Sequence, residues 1–389
     1  MSFLRAAFAA LVGQSGIRGI FAAVSAAAFT ALFLSCGGSG SSSANGHVAY
    51  VTLPIQGSIL LLRVDPGSGA LTTGGTTQAV PNTTPTGIAL LPSKKFLYAV
   101  NSLADSISTF SVALDGTLSF VGTTPAGGSS PNGAAIDPLG QYLLVTNALS
   151  NSISVFGISA SGALSLPVVV SDPNLNNPTE IRFTHSGQFV YVADPGVGEV
   201  TGFSFNTSSG HLTYVTTVVS GLGADALAVD ATNQYLYVAN VSASNPPPYS
   251  SITGNISGFS IDAGGGLTPL IGSPYVPTSG SANGPSAIAV DPTGRFVYAV
   301  TAGSSASIWC FSITPANGEL VQVTGSPFNL AGGGLFLLFE AKGNFFYTGD
   351  NDPVGINAYH YDSTTGAPTA VTGSPFSTGT EPGKMVISD

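Results

Sequence analysis

Tyr235-Leu236-Tyr237-Val238-Ala239-Asn240 is a six-residue stretch of aromatic and β-favouring residues that stops at an asparagine. Variants of its Tyr-Val-x-Asn phrase occur seven times, anchored at Tyr50, Tyr98, Leu144, Tyr191, Tyr237, Tyr298 and Tyr347. Five of the six spacings fall between 46 and 49 residues, and the sixth is 61. A period in the forties marks an array of identical supersecondary units.

Each anchor lies in a longer frame. Thirteen residues upstream stands Pro85, Pro131, Pro178, Ala224, Pro285 or Gly334, opening a short apolar run such as Ser286-Ala287-Ile288-Ala289-Val290. A turn follows, as in Asp291-Pro292-Thr293-Gly294, in which proline presets one angle and glycine relieves strain. After the anchor strand comes a polar loop, a third strand (Ser307 to Ile313 in this copy), and a tight turn read as Gly-x-Leu in six copies, for example Gly116-Thr117-Leu118. A fourth strand completes the unit. Four short strands per unit describe a propeller blade, so the sequence predicts an all-β, seven-bladed β-propeller over residues 47–389. The first copy begins at its anchor strand, and Pro382 to Asp389 reads like Pro285 to Asp291. The C-terminal strand is therefore expected to join the first blade and close the ring, leaving no open sheet end.

Composition narrows the function classes. With 9 Lys and Arg against 19 Asp and Glu, the net charge is −10. Phosphate backbones require clustered cations, so nucleic acid is not an expected partner. Fifty glycines suggest disorder, but 43% hydrophobic content with period-2 strands points to a folded chain. Residues 1–35 read as an export signal: Arg5 and Arg18 flank a weakly apolar stretch, and Gly19 to Leu34 is an apolar run. Phe33-Leu34-Ser35-Cys36 resembles a bacterial lipobox with Cys36 as the lipidated residue, and residues 36–46 form a Gly/Ser tether. The expected location is periplasmic or cell-surface, with the membrane contacted only through that anchor. Ordinary secretion or an uncleaved anchor are the alternatives. Cys310, in an apolar strand, reads as a buried inert thiol.

In a propeller of this strand order, the loop into the first strand and the loop out of the anchor strand share one face, around the mouth of the central channel. Two residues after the upstream proline position stand Gly87, Gly133, Glu180, Ala226, Ala287, Phe336 and Lys384. Four after it stand Ala89, Ala135, Arg182, Ala228, Ala289, Leu338 and Val386. Small residues suit the crowded axis, so Glu180, Arg182 and Lys384 are outliers in a nearly uncharged chain. The anchor strands end at Leu53, Asn101, Asn147, Asp194, Asn240, Thr301 and Asp350. Glu180, Arg182 and Asp194 are the candidate catalytic residues, with a carboxylate as base or cation holder and a cation for an oxyanion. Asn101, Asn147, Asn240, Asp350 and Lys384 are the candidate rim. Tyr249 joins them from an insertion around Ser242 to Gly254. The competing reading is structural, with Glu180 and Arg182 neutralising each other and strand-end Asn and Asp tying down turns. No His/Cys spacing suits zinc, no cofactor is indicated, and a divalent cation is left open.

The frame as a whole resembles the lactonase-like seven-bladed propellers, the YVTN-repeat and 6-phosphogluconolactonase-like proteins. Phe189-Val190-Tyr191-Val192-Ala193-Asp194-Pro195-Gly196 looks like the family's strand ending in Asp-x-Gly. The resemblance implies histidine-containing phrases entering the central blades, yet those places read Pro178-Thr179-Glu180 and Gly223-Ala224-Asp225. Export would also remove the protein from the cytoplasmic sugar phosphates used by the namesake enzyme. Two functions are therefore expected. The first is a surface-displayed, monomeric module binding a protein or glycan, and the second is an extracytoplasmic lactonase opening a small cyclic ester.

Overall fold

The computed structural model describes residues 47–78, 83–241, 254–278, 284–303, 305–341, 344–352 and 354–388. Cys36, the leader, the tether and Tyr249 lie outside them.

The strands form seven antiparallel sheets of four, with one extra two-residue strand in the sixth. Blade 4 shows the pattern, running outward from the axis as Glu180–Phe183, Phe189–Asp194, Glu199–Asn206 and His211–Val219. In blade 1 the innermost strand is Met385–Ser388, paired with Val48–Leu53 in the register Val48 to Ser388 and Val51 to Met385. The ends of the chain thus close the ring. The clasp extends past the ladder: Thr52 N donates to Lys384 O (2.9 Å) and Gly383 N to Thr52 O (2.8 Å). On the opposite face His47 Nδ1 lies 2.6 Å from Glu340 Oε1 of blade 7.

Among the described residues the core is divided rather than single. Seven apolar layers lie between successive blades, each built from the facing sides of two sheets. Tyr50, Ile59 and Leu61 of blade 1 meet Ile88, Leu97 and Phe110 of blade 2, for example. The anchor tyrosines cross these layers. Tyr50 Oη donates to Gly116 O (2.7 Å), Tyr98 to Gly162 O (2.9 Å) and Tyr191 to Gly265 O (3.0 Å). Tyr237 donates to Gly318 O (2.8 Å), Tyr298 to Gly366 O (2.7 Å) and Tyr347 to Gly69 O (3.1 Å). Each bond joins one blade to the Gly-x-Leu turn of the next, or of its non-leucine copy at Gly366. Leu144 lacks the hydroxyl, and Tyr142 Oη of the same strand bonds Ser208 O instead (3.2 Å).

The turn glycine is required twice over. Gly162 has φ 78°, and a β-carbon there would lie 2.3 Å from the ring of Phe96.

The turn aspartates are structural. Asp137 Oδ1 accepts from Gln141 N and Tyr142 N, both at 2.6 Å, and Asp230 and Asp291 repeat the arrangement. Cys310 is fully buried with its Sγ 3.4 Å from Gly366 O, and burial pushes its thiol up to about 12.

Candidate active site at the channel mouth

The innermost strands place one residue per blade around the axis at each level. Gly87, Gly133, Glu180, Ala226, Ala287, Phe336 and Lys384 all line one cavity of about 110 Å³ in the central channel. Arg182, Leu338 and Val386 line it one level further along. The two glycines belong to blades 2 and 3, where a side chain would meet the neighbouring backbone: a β-carbon on Gly133 would stand 2.3 Å from Thr179 O.

Charge enters this ring from two opposite sides. Glu180 begins the inner strand of blade 4, and Lys384 precedes the inner strand of blade 1. Arg182 Nε is 2.8 Å from Glu180 Oε1, and Lys384 Nζ is 3.6 Å from Glu180 Oε2. The Glu180 side chain is only 11% exposed, whereas Arg182 and Lys384 retain 53% and 38%. The carboxylate is therefore held inside a clamp whose two cations still face open space. Since Arg182 uses Nε for this contact, its terminal amino groups are left for a ligand oxygen.

Asp225 lies next to Ala226 in the chain but does not itself line this cavity. It sits at a register shift in the inner strand of blade 5, between Ala224, paired with Asn240, and Ala226, paired with Ala239. Among the described residues no donor hydrogen-bonds to its carboxylate. Burial raises its pKa, with the nearby Lys384 charge pulling it down and the Glu180 charge pushing it up. Asp225 follows the position filled by proline in most copies, where the equivalent residues are Thr86, Asn132, Thr179, Ser286, Leu335 and Gly383. A charged residue in that series was the available signal, but reading the levels two and four residues in passes over it.

The structure does not bring Asp194 to this cavity. It is fully buried within blade 4, accepting from Asn176 N (3.1 Å) and the Thr201 hydroxyl (3.5 Å). Burial lifts its pKa to about 7, against those two hydrogen bonds and with Glu199 adding to the rise. The strand-end residues of other blades do the same work with their third strands. Asn101 Nδ2 donates to Ser108 Oγ (2.9 Å), Asn147 Nδ2 to Ser154 Oγ (2.9 Å) and Asn240 Nδ2 to Ser257 Oγ (3.0 Å). Asp350 Oδ2 accepts from Asn357 Nδ2 (2.9 Å). All four are fully buried, so of the sequence-derived rim residues described here only Lys384 faces the channel. Among the described residues, no group of three His, Cys, Asp or Glu side chains is arranged to hold a metal ion.

The sequence matches the lactonase, 7-bladed beta-propeller family over residues 40–174, 166–251 and 249–382. The chain belongs to that family. Among curated proteins no sequence matches it. Solved structures do. A putative 6-phosphogluconolactonase from Bacteroides uniformis superposes with a TM-score of 0.74 at 19% identity, covering 88% of this chain and 100% of the other. A putative 6-phosphogluconolactonase from Bacteroides fragilis gives 0.72 at 18% identity, covering 90% and 99%. The Pseudomonas aeruginosa periplasmic gluconolactonase gives 0.71 at 18%, covering 88% and 99%. At such identities the likeness establishes the fold. In this lactonase-family propeller the channel concentrates Glu180, Arg182 and Lys384, in a chain with only 7% charged residues.

Proposed function

We propose that this lactonase-family propeller is an extracytoplasmic hydrolase that opens a small cyclic ester at the mouth of its channel. The observation that carries the reading is the Glu180–Arg182–Lys384 cluster in the channel, with the Asp225 carboxylate, to which no described residue donates a hydrogen bond, close enough for its charge to be influenced by Lys384 and Glu180. A base must be free to take a proton, and an oxyanion needs fixed positive charge nearby. In this reading Asp225 takes a proton from water as the water oxygen bonds to the carbonyl carbon. Lys384 and the terminal amino groups of Arg182 hold the resulting oxyanion. The bond to the ring oxygen then breaks, and the proton passes from Asp225 to the leaving oxygen, giving a hydroxy acid. Glu180 positions the two cations.

The basic and apolar leader, with Cys36 as a lipid attachment point, supports action outside the cytoplasm. The periplasmic gluconolactonase of similar fold is consistent with that placement. The competing use of the same mouth is non-catalytic binding of a protein or glycan, favoured by the clamp that already neutralises Glu180. Assay against a panel of γ- and δ-lactones, with and without divalent cations, separates the two. Ring opening supports the hydrolase, and no turnover of any lactone leaves only the binding module. Replacing Cys36 by serine releases the protein from membranes if the anchor is as proposed, and unchanged membrane association contradicts it.

A further inference from the structure

The loops leaving the second strands of blades 1, 2 and 3 carry Ile55, Leu103 and Leu149 at the same repeat position, five residues beyond each anchor. Ile55 is 75% exposed, and Leu103 and Leu149 are each 79% exposed. The equivalent described residues in blades 4, 6 and 7 are Gly196, Gly303 and Asp352. Single exposed aliphatics are ordinary, but three at one register in three consecutive blades form an arc. The turns do not demand them, since this kind of turn favours polar residues.

These turns are fixed to the strands that line the channel. Asp105 Oδ1, two residues after Leu103, accepts from Ser130 N (2.7 Å), which leads into the inner strand of blade 3. Asn151 Oδ1, two residues after Leu149, accepts from Asn177 N (2.8 Å). Asn177 is three residues before Glu180, a reach of at most about 11 Å of extended chain. The Ile55 turn is held likewise beside the segment that carries Lys384: Gly383 N donates to Thr52 O (2.8 Å), and a β-carbon on Gly383 would stand 3.0 Å from Pro54. The three aliphatic residues therefore lie on the face of the channel mouth, in blades 1 to 3, where Gly87 and Gly133 leave the channel wall bare of side chains.

Resting on the hydrolase reading, we infer that the substrate is an amphiphile: a lactone whose ring oxygens meet Lys384 and Arg182 and whose alkyl chain lies across Ile55, Leu103 and Leu149. A bare polar sugar lactone would leave this arc unused. The test is calorimetric titration of the full chain with γ-butyrolactone and γ-decanolactone, alongside turnover of both. Affinity is expected to rise at least roughly ten-fold with the longer chain, because each methylene covered leaves water. The triple variant Ile55→Ser/Leu103→Ser/Leu149→Ser should lose that increment, keep its affinity for γ-butyrolactone and melt at the wild-type temperature. Equal affinity for the two lactones overturns the inference, as does an increment that survives the triple variant. Absence of turnover with the increment intact would instead remove the hydrolase reading and leave the amphiphile site standing.

Discussion

Lys384, near the C-terminus, reaches across the central channel to Glu180 of blade 4, Nζ to Oε2 at 3.6 Å. The contact spans the ring between the blade that closes it and the blade nearly opposite, so the closing strand also furnishes part of the site. The two charges of this pair act on the Asp225 carboxyl in opposite directions, Lys384 lowering its pKa and Glu180 raising it.

The opposed influences predict a pair of pH profiles. Lys384 lowers the Asp225 pKa, so Lys384→Met should move the acid limb of kcat/KM to higher pH. Glu180 raises it, so Glu180→Gln should move the same limb to lower pH. Shifts of one sign in both variants would place the titrating base elsewhere.

The inter-blade tyrosine bonds predict a stability effect without a functional one. Tyr237→Phe leaves Gly318 O without its buried donor and should cost about 1–2 kcal/mol in denaturant unfolding. Lactone turnover at 25 °C should not change. Blade 3 already shows a substitute arrangement, with Leu144 at the anchor and Tyr142 making the contact.

Asp194 predicts a pH-dependent stability. Its folded pKa of about 7 lies above the ordinary 3.8, so folding favours the protonated form. Stability is therefore fully present below about pH 4, declines as pH rises, and has lost this contribution above about pH 7. Asp194→Asn places the residue of Asn101, Asn147 and Asn240 at this position and should remove the decline. At pH 8 the variant should exceed the wild type by on the order of 2–4 kcal/mol in urea unfolding, with little difference at pH 4. A variant less stable than wild type at pH 8 would show that the ionised carboxylate is needed there.

The repeat made the ring legible because every copy supplies the same frame. Counting two residues from each proline position picks out one ring of seven residues that line the channel, including Glu180 and Lys384. The strand ends were harder to read, because the direction taken by Asn101 or Asp194 depends on partners in the third strand, such as Ser108 and Thr201. Asp225 was less visible still. It occupies a β-bulge, and the register shift that aims a bulged residue does not appear in a period-2 pattern. The anchor tyrosines illustrate the same limit: their apolar rings predict burial, but bonds to glycine carbonyls of the next blade, such as Tyr98 to Gly162 and Tyr237 to Gly318, arise only when successive blades pack together.

The most direct test of the central claim is kcat/KM of Asp225→Asn on whichever lactone the wild-type protein opens, compared at equal melting temperature. A general base in this position predicts a loss of roughly 10²- to 10⁴-fold. Turnover at the wild-type rate would contradict the account, whatever the behaviour of Glu180 and Lys384 variants.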